Sequence, residues 1–302
     1  MIKFLRAFIT CCTAVLAAPS GALAQSCAVG PVTVQILGSG GPAINRERAS
    51  ASYLLWVGGQ ARMLVDLGGG TYLRFGQSQA KVSDLAMLAI SHLHPDHVSD
   101  LPALLWLSRQ AREAPLPIVG PSGNEVAPAF PTFLGRLFDE KNGAFQVLGH
   151  TLGAAQGNGV PLEVSVVDVK KTEPSPVFDR DGLTVTALGI PHANVPTLAY
   201  RVETRGASVV FSSDQSGTNP KFTEFAKGAD VLVMHLAIAA GATSPLHAAP
   251  GVVGRIAHDA GVKRLVVSHI GLIDLDAAIA ELKKSYSGPL TIGTDLQCTP
   301  AL

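Results

Sequence analysis

The sequence predicts an α/β fold built as one large domain. Short apolar runs typical of buried strands alternate with segments whose apolar residues recur at helical spacing. Turns rich in the chain's 31 glycines and 20 prolines separate them. A hydrophobic share of 47% is ample for a buried core, and a charged share of 15% is too low for a disordered chain.

In the first half of the domain, strands come before helices. Glycine-rich turns separate the first three strands, and the fourth is fully apolar. Asp100 caps a helix with Pro102 in its first turn, and this helix is predicted to end near Glu113. The glycine-rich stretch 143–171 is predicted to be a surface elaboration around one strand. The predicted strands are Val32–Leu37, Ser52–Val57, Met63–Asp66, Leu85–Ile90, Pro117–Val119 and Leu162–Val169, and a second helix is predicted at Asn124–Phe138.

In the second half, strands and helices alternate, which predicts β/α units. Prolines mark the starts of two helices, where a missing N–H does no harm. The predicted strands are Leu183–Leu188, Leu198–Val202, Ser208–Phe211, Val231–Met234 and Arg264–Val267, and the predicted helices begin at Pro220, Pro250 and Asp274.

The first 24 residues are predicted to be a secretory signal peptide, so that the domain spans residues 25–302. Lys3 and Arg6 form a basic start, an apolar run follows, and Ala22-Leu23-Ala24 has the small-x-small pattern of a cleavage site. The alternative is a membrane anchor, which we disfavour because the apolar run is shorter than the roughly 20 residues of a span. We therefore expect a periplasmic or secreted protein with no membrane span after cleavage.

The charge balance argues against one class of partner. The chain holds 23 Lys and Arg and 23 Asp and Glu, and loss of Lys3 and Arg6 leaves 21 basic residues against 23 acidic ones. A protein that grips nucleic acid needs clustered basic residues for the phosphates. We therefore expect no nucleic-acid partner.

Two cysteines remain after cleavage, one near each end. Cys27 and Cys298 form a disulfide in an oxidising compartment or stay as free thiols, and the sequence leaves both alternatives open. Neither has the spacing of a metal site.

Four groups that can bind a metal follow the fourth strand within six residues. In the extended segment His92 and His94 point to the same side, whereas Asp96 and His97 lie where the chain turns toward a helix. A lone histidine on an apolar face is usually structural. A cluster placed where a buried strand opens into a loop predicts a metal site.

Three further candidates stand directly after apolar strands: His192, Asp214 and His269. If the strands share sheets, their trailing loops meet at one edge, where α/β folds tend to place sites. Together the candidates suffice for two divalent ions. Asp214 is the expected bridge, since a carboxylate has two oxygens and an imidazole gives a metal only one nitrogen.

In these residues the chain resembles the metallo-β-lactamase superfamily, and within it the ribonuclease Z and arylsulfatase-like branch. The resemblance runs in order from Val32 to Ile270, and its H-x-H-x-D-H core is specific. The segments that carry it are Gly38-Ser39-Gly40-Gly41-Pro42, Val65-Asp66-Leu67-Gly68, His92-Leu93-His94-Pro95-Asp96-His97, Pro191-His192-Ala193-Asn194-Val195-Pro196 with Ala199-Tyr200, Phe211-Ser212-Ser213-Asp214, Ser244-Pro245-Leu246-His247 and Val267-Ser268-His269.

The resemblance implies an αββα sandwich with a dinuclear zinc site along one rim; manganese or iron are alternatives. It assigns His92, His94 and His192 to one ion and Asp96, His97 and His269 to the other, with Asp214 between them. A hydroxide between the ions would attack an ester. Because relatives often dimerise, it further implies a homodimer.

The resemblance also implies roles around the metals. His247 is the candidate general acid for the leaving group and, with Asp96, is taken as catalytic; the alternative is a solvated loop histidine. Asp66 matches an acid that orients ligands, the alternative being a turn-forming residue. His235 stands where relatives often carry a glutamate, and its place near the site stays open. Tyr200 is expected in the core, and His150 and His258 on the surface.

The substrate expected from these features is a small-molecule ester, most strongly a phosphodiester. The 22 positions from His192 to Asp214 leave no room for the arm that many ribonuclease Z proteins insert there. A β-lactam or lactone is the alternative for the same fold. A non-catalytic metal-binding module is a remote alternative, because every ligand position of the pattern is filled.

Overall fold

The computed structural model describes Cys27, residues 29–155 and residues 157–301. The predicted signal peptide lies outside the described residues. The strands are β1 (Val32–Gly38), β2 (Ser52–Val57), β3 (Gln60–Val65), β4 (Met87–Ala89), β5 (Leu116–Pro121), β6 (Leu162–Val167), β7 (Ser175–Arg180), β8 (Leu183–His192), β9 (Val195–Thr204), β10 (Ala207–Phe211), β11 (Val231–Leu236), β12 (Leu265–Ile270), β13 (Leu290–Ile292) and β14 (Cys298–Pro300).

The helices are short and follow the parallel strands. They are α1 (Thr71–Gln77), α2 (Pro95–Val98), α3 (Leu101–Leu107), α4 (Phe130–Phe138), α5 (Pro220–Phe225), α6 (Pro250–Asp259) and α7 (Leu275–Leu282), with 3-10 turns at Val82–Asp84 and Gln146–Leu152.

The strands form two sheets of the same design. The first has the order β14-β1-β2-β3-β4-β5-β6 and the second the order β13-β12-β11-β10-β9-β8-β7. Each sheet combines antiparallel neighbours, such as β1 with β2 and β8 with β9, with parallel ones, such as β4 with β5 and β11 with β12. Parallel strands need crossover connections, and the helices provide them.

Three apolar layers hold these elements together. Between the sheets, side chains such as Ile36 and Met63 face Tyr200 and Phe211. On the outer side of the first sheet, α3 and α4 bury residues such as Leu104 and Phe130, and on the outer side of the second sheet α5, α6 and α7 do the same. This is the αββα sandwich that the resemblance implies.

Two predicted helix boundaries were wrong, and one predicted strand has a larger part in the fold than expected. The helix predicted over Asn124–Phe138 begins only at Phe130, because Asn124 accepts backbone hydrogen bonds in a turn and Pro128 cannot sit inside a helix. The helix predicted to reach Glu113 ends at Leu107. The strand within 143–171 is β6, the edge strand of the first sheet, so this stretch is more than a surface elaboration.

A disulfide joins Cys27 to Cys298, with Cα atoms 5.7 Å apart. It ties the segment before β1 to β14, which pairs with β1. Of the two alternatives left open by the sequence, the structure contains the bridge. Among the described residues, no helix combines the length and the apolar character needed to cross a membrane.

Candidate metal centre

Both sheets contribute to one cluster of metal-capable side chains at their shared rim. The loop after β4 and the one-turn helix α2 belong to the first sheet, while the ends of β8 and β12 and the loop after β10 belong to the second. We call this set the donor cluster: His92, His94, Asp96, His97, His192, Asp214 and His269.

One half of the donor cluster consists of three imidazoles. Nε2 of His92 lies 3.1 Å from Nδ1 of His94, and Nε2 of His192 lies 3.4 Å from the same Nδ1. The ligand atoms of the three residues fall within 4.8 Å of one another. His92 and His192 are buried, whereas His94 is partly exposed.

The other half combines two imidazoles with a carboxylate. Nε2 of His97 lies 3.2 Å from Nε2 of His269, and Nε2 of His269 lies 3.2 Å from Oδ2 of Asp96. Asp96 is partly exposed, so this half also reaches solvent.

Asp214 lies between the two halves. Its Oδ2 is 3.3 Å from Nε2 of His269 and 3.6 Å from Nε2 of His97 on one side, and 4.0 Å from Nε2 of His192 on the other. Its Oδ1 is buried without a hydrogen-bond partner among the described residues. A carboxylate in this place can serve two cations at once.

In three of the ligand rings, the nitrogen that points away from the cluster is held by a hydrogen bond. Nδ1 of His97 donates to Asp66 at 2.8 Å, and Nδ1 of His192 donates to the Leu246 carbonyl at 2.7 Å. The Ser91 hydroxyl donates to Asp66 at 2.7 Å and can therefore accept from Nδ1 of His92 at 3.0 Å. With Nδ1 protonated, Nε2 of each ring carries a free lone pair toward the cluster.

The charges of the cluster stabilise one another. Burial lowers the pKa of His92 well below its usual value, so its imidazole is neutral. Burial opposes the charged forms of His97 and Asp214 too, but the carboxylates of Asp214 and Asp66 raise the pKa of His97 while His269 and His97 lower that of Asp214. Ring nitrogens that converge beside these carboxylates form an environment that suits a cation.

This donor set fits a pair of divalent cations. Neutral imidazoles and carboxylates are the ligands that zinc takes in catalytic sites, and no thiolate of the described residues joins them. Nitrogens that face each other at 3.1 to 3.4 Å repel unless a proton or a cation lies between them. The same donor types also suit manganese and iron.

Several backbones at the site adopt the left-handed conformation that side chains disfavour. The φ angle is +57° at Asp66, +51° at Ser213 and +47° at both Ala193 and His269. Such strain persists only where surrounding contacts impose it, and it clusters at functional sites.

His247 and His235 both lie beside the donor cluster. Nδ1 of His247 is 3.7 Å from Oδ2 of Asp214, and its side chain is buried. The His235 ring lies 5.4 Å from that of His247, centroid to centroid. Tyr200 is buried in the core and donates to the Ile90 carbonyl at 2.7 Å, whereas His150 and His258 are exposed.

One contributor was missed by the sequence analysis. Ser91 links Asp66 to His92, and its only signal in the sequence is its position between a buried apolar strand and the H-x-H-x-D-H motif.

The stretch 143–171 also comes near the motif. Its residues Phe145, Val147 and Leu148 line an apolar cavity of about 570 Å³ together with Leu93 and Pro95.

The chain matches known proteins along most of its length. Residues 62–270 match the model of the beta-lactamase superfamily domain. A ribonuclease Z of Mycobacterium bovis is 30% identical over 285 residues, which cover 87% of this chain and 96% of that protein. A ribonuclease Z of Mycolicibacterium paratuberculosis is 35% identical over 210 residues, covering 67% and 69% of the two chains.

Solved structures share the fold. The metallo-beta-lactamase fold protein YhfI from Bacillus subtilis superposes with a TM-score of 0.69 at 21% identity, covering 89% of this chain and 98% of that one. The short form of human tRNase Z superposes with a TM-score of 0.67 at 22% identity, covering 89% and 99%. The chain belongs to the metallo-β-lactamase superfamily and is a metal-dependent hydrolase related to ribonuclease Z.

Proposed function

We propose that the donor cluster holds two divalent cations, zinc in the first instance, and that the protein hydrolyses an ester, most strongly a phosphodiester. The main support is the position of Asp214, whose Oδ2 lies within 4.0 Å of imidazole nitrogens from both halves of the donor cluster. Two cations held by these residues would activate water as the nucleophile and would offset the charge that develops on the substrate.

The roles of the chain's own residues follow from their contacts. Asp66, Ser91 and the Leu246 carbonyl keep the Nε2 lone pairs of three ligand rings pointed at the cations. His94 and Asp96, the partly exposed members, border the opening through which substrate would enter.

His247 is the proposed proton donor to the leaving group. Its Nδ1 faces Asp214, which leaves Nε2 as the nitrogen for substrate. Burial lowers the pKa of His247 to about 4, and Asp214 acts in the opposite direction. An anionic substrate in the site would raise that pKa back toward the range in which the ring carries a proton, which favours a phosphodiester over a neutral ester. The alternative role is that of an extra ligand, since His247 forms a metal-capable group with His192 and Asp214.

The substrate class rests on the relatives. The name ribonuclease Z describes an enzyme that cleaves RNA. The expectation of no nucleic-acid partner therefore has no support from the comparisons. The step of 22 positions from His192 to Asp214 is taken up by β9, β10 and their turns. This short interval bears on how RNA would be held and not on whether the bond can be cut. RNA therefore stays among the candidate phosphodiesters.

Export is part of the proposal. The pattern of the first 24 residues supports it, and so does the disulfide, because such bonds persist in oxidising compartments. A chain that begins at Gln25 would be the mature domain.

The test uses this mature protein, reconstituted with zinc. Turnover of bis(p-nitrophenyl) phosphate and of a short oligoribonucleotide is measured beside an aryl sulfate, a lactone and a β-lactam. His269→Ala removes one ligand, and His150→Ala is the matched control at an exposed histidine. Phosphodiester turnover that vanishes only in His269→Ala supports the proposal. Turnover of the lactone or β-lactam alone overturns the substrate class, and no turnover with two bound ions supports a non-catalytic module.

A further inference from the structure

His235 lies between two loops that carry residues with a role in the proposed function. It lies in β11, 2% exposed, with the loop that carries Asp214 on one side and the loop that carries His247 on the other. Its Nδ1 lies 3.0 Å from the Ser213 carbonyl oxygen, and its Nε2 lies 3.0 Å from the backbone nitrogen of Ala248.

Only one form of the ring satisfies both contacts. A carbonyl only accepts, so Nδ1 must carry a proton, and a backbone N–H only donates, so Nε2 must be unprotonated. The ring is therefore neutral, and neither nitrogen remains for a metal or a substrate. This separates His235 from the donor cluster, despite its residue type.

The two contacts bear on neighbouring functional atoms. Ser213 has a left-handed backbone with φ of +51°, and its carbonyl immediately precedes Asp214. Ala248 is the residue directly after His247, and its backbone N–H also donates to the Gln215 carbonyl at 2.7 Å. The Ser213 carbonyl likewise has a second partner, because it also accepts from the Ser212 hydroxyl at 2.8 Å.

We propose that His235 is a positioning residue, which fixes Asp214 through the Ser213 carbonyl and His247 through the Ala248 N–H. The roles of Asp214 and His247 rest on the proposed function. His235 itself touches neither substrate nor cation.

Three substitutions of His235 distinguish the effects of its two hydrogen bonds. His235→Asn places an amide near the Nδ1 position and can keep the Ser213 contact, whereas His235→Gln places an amide near the Nε2 position and can keep the Ala248 contact. His235→Phe keeps a ring but makes neither hydrogen bond. His258→Gln, at an exposed histidine, is the control.

Two readouts are compared with the melting temperature of each variant. Zinc affinity, measured by competition with a chelator, should fall about 10-fold in His235→Gln and His235→Phe and less in His235→Asn. The kcat for a phosphodiester at saturating zinc should fall several-fold in His235→Asn and His235→Phe, with KM nearly constant, and less in His235→Gln. A purely structural role would move both readouts together with stability.

The proposal is overturned if Asn and Gln change both readouts equally, or if a folded His235→Phe keeps wild-type affinity and kcat. Should His235→Phe not fold, the Asn and Gln pair still decides. If the wild-type protein turns over no ester, the proposed function fails, and the difference in zinc affinity between Asn and Gln still tests the fixing of Asp214.

Discussion

The carboxylate of Asp66 lies 2.8 Å from Nδ1 of His97, at the ring nitrogen opposite the one that faces Asp214 and His269. The same carboxylate accepts from both the backbone N–H and the hydroxyl of Ser91 at 2.7 Å. Asp66 is buried, and all three donors converge on it. It therefore determines which nitrogen of His97 can bind a cation.

Replacing Asp66 by Asn should weaken zinc binding about 10- to 100-fold, as is typical when the partner of a ligand histidine is lost. An amide offers one oxygen in place of two and turns an N–H toward a donor. The free energy of unfolding should also fall by about 1–3 kcal/mol. Chelator competition and thermal unfolding measure the two effects, with exposed Asp259→Asn as control. Unchanged zinc affinity would contradict the role of Asp66.

His94→Ala should abolish turnover and leave the fold intact. The ring is partly exposed, so its removal opens no large cavity, but it takes away a nitrogen shared by contacts to His92 and His192. We expect less than two zinc ions per chain by elemental analysis and a circular dichroism spectrum like that of the wild type. Full turnover by a protein that has lost metal would mean that the proposed mechanism is wrong.

His247→Ala should slow the chemical step more than it weakens binding. Loss of a general acid typically lowers kcat about 10²- to 10⁴-fold. The loss should shrink when the leaving group is p-nitrophenol, which departs without a proton, and grow for an alkyl leaving group. Steady-state kinetics on the two ester types measure it. Equal losses for both would favour the role of His247 as a metal ligand.

The metal-free protein should become less stable as the pH falls from 7 toward 4. Burial lowers the pKa of His235 to about 3 and that of His247 to about 4, while Asp214 opposes both shifts and His269 adds to them. The unfolded chain takes up these protons near pH 6.5, so it binds more protons than the folded one between that pH and the lowered values. Each group then contributes up to about 1.4 kcal/mol per pH unit.

The contribution of His97 to stability depends on pH in the opposite direction. Burial lowers its pKa, but Asp214 and Asp66 raise it above the unfolded value, so its contribution is complete at low pH and disappears as the pH rises through the folded value. The histidines with a lowered pKa outnumber it and should dominate. They are His92, His94, His192, His235 and His247. Thermal unfolding in chelator between pH 7 and 4.5 tests this, and a stability that rises on acidification would refute it.

Removing the disulfide should lower stability without changing catalysis. The bridge spans 271 positions, so it restricts nearly the whole unfolded chain. The double variant Cys27→Ser and Cys298→Ser should lose about 2–4 kcal/mol of unfolding free energy. Zinc content and kcat should stay at wild-type values, because neither sulfur belongs to the donor cluster. A matched loss of kcat at temperatures where the variant is folded would contradict this.

The linear pattern was sufficient for the α/β fold class, and the side chains that it singled out as metal ligands are ones that the structure brings together at one rim. Apolar runs mark strands because each strand lies buried between layers, and four donors in six residues are local in the chain. It was insufficient for helix ends such as Phe130 and for the short strands β13 and β14. Those depend on which backbone groups find partners elsewhere, as the pairing of β14 with β1 shows.

By itself, then, the sequence determined the residue types, the alternation of strands and helices along the chain and the motif that place this chain among metal-dependent hydrolases. Only the tertiary structure decided which histidines turn a nitrogen toward the donor cluster and which do not. His97 and His235 are both buried imidazoles, yet His97 turns Nε2 to the cluster while both nitrogens of His235 bind backbone. The reason is physical: a ring's role is set by the partners of its two nitrogens, and those partners come from segments far away along the chain.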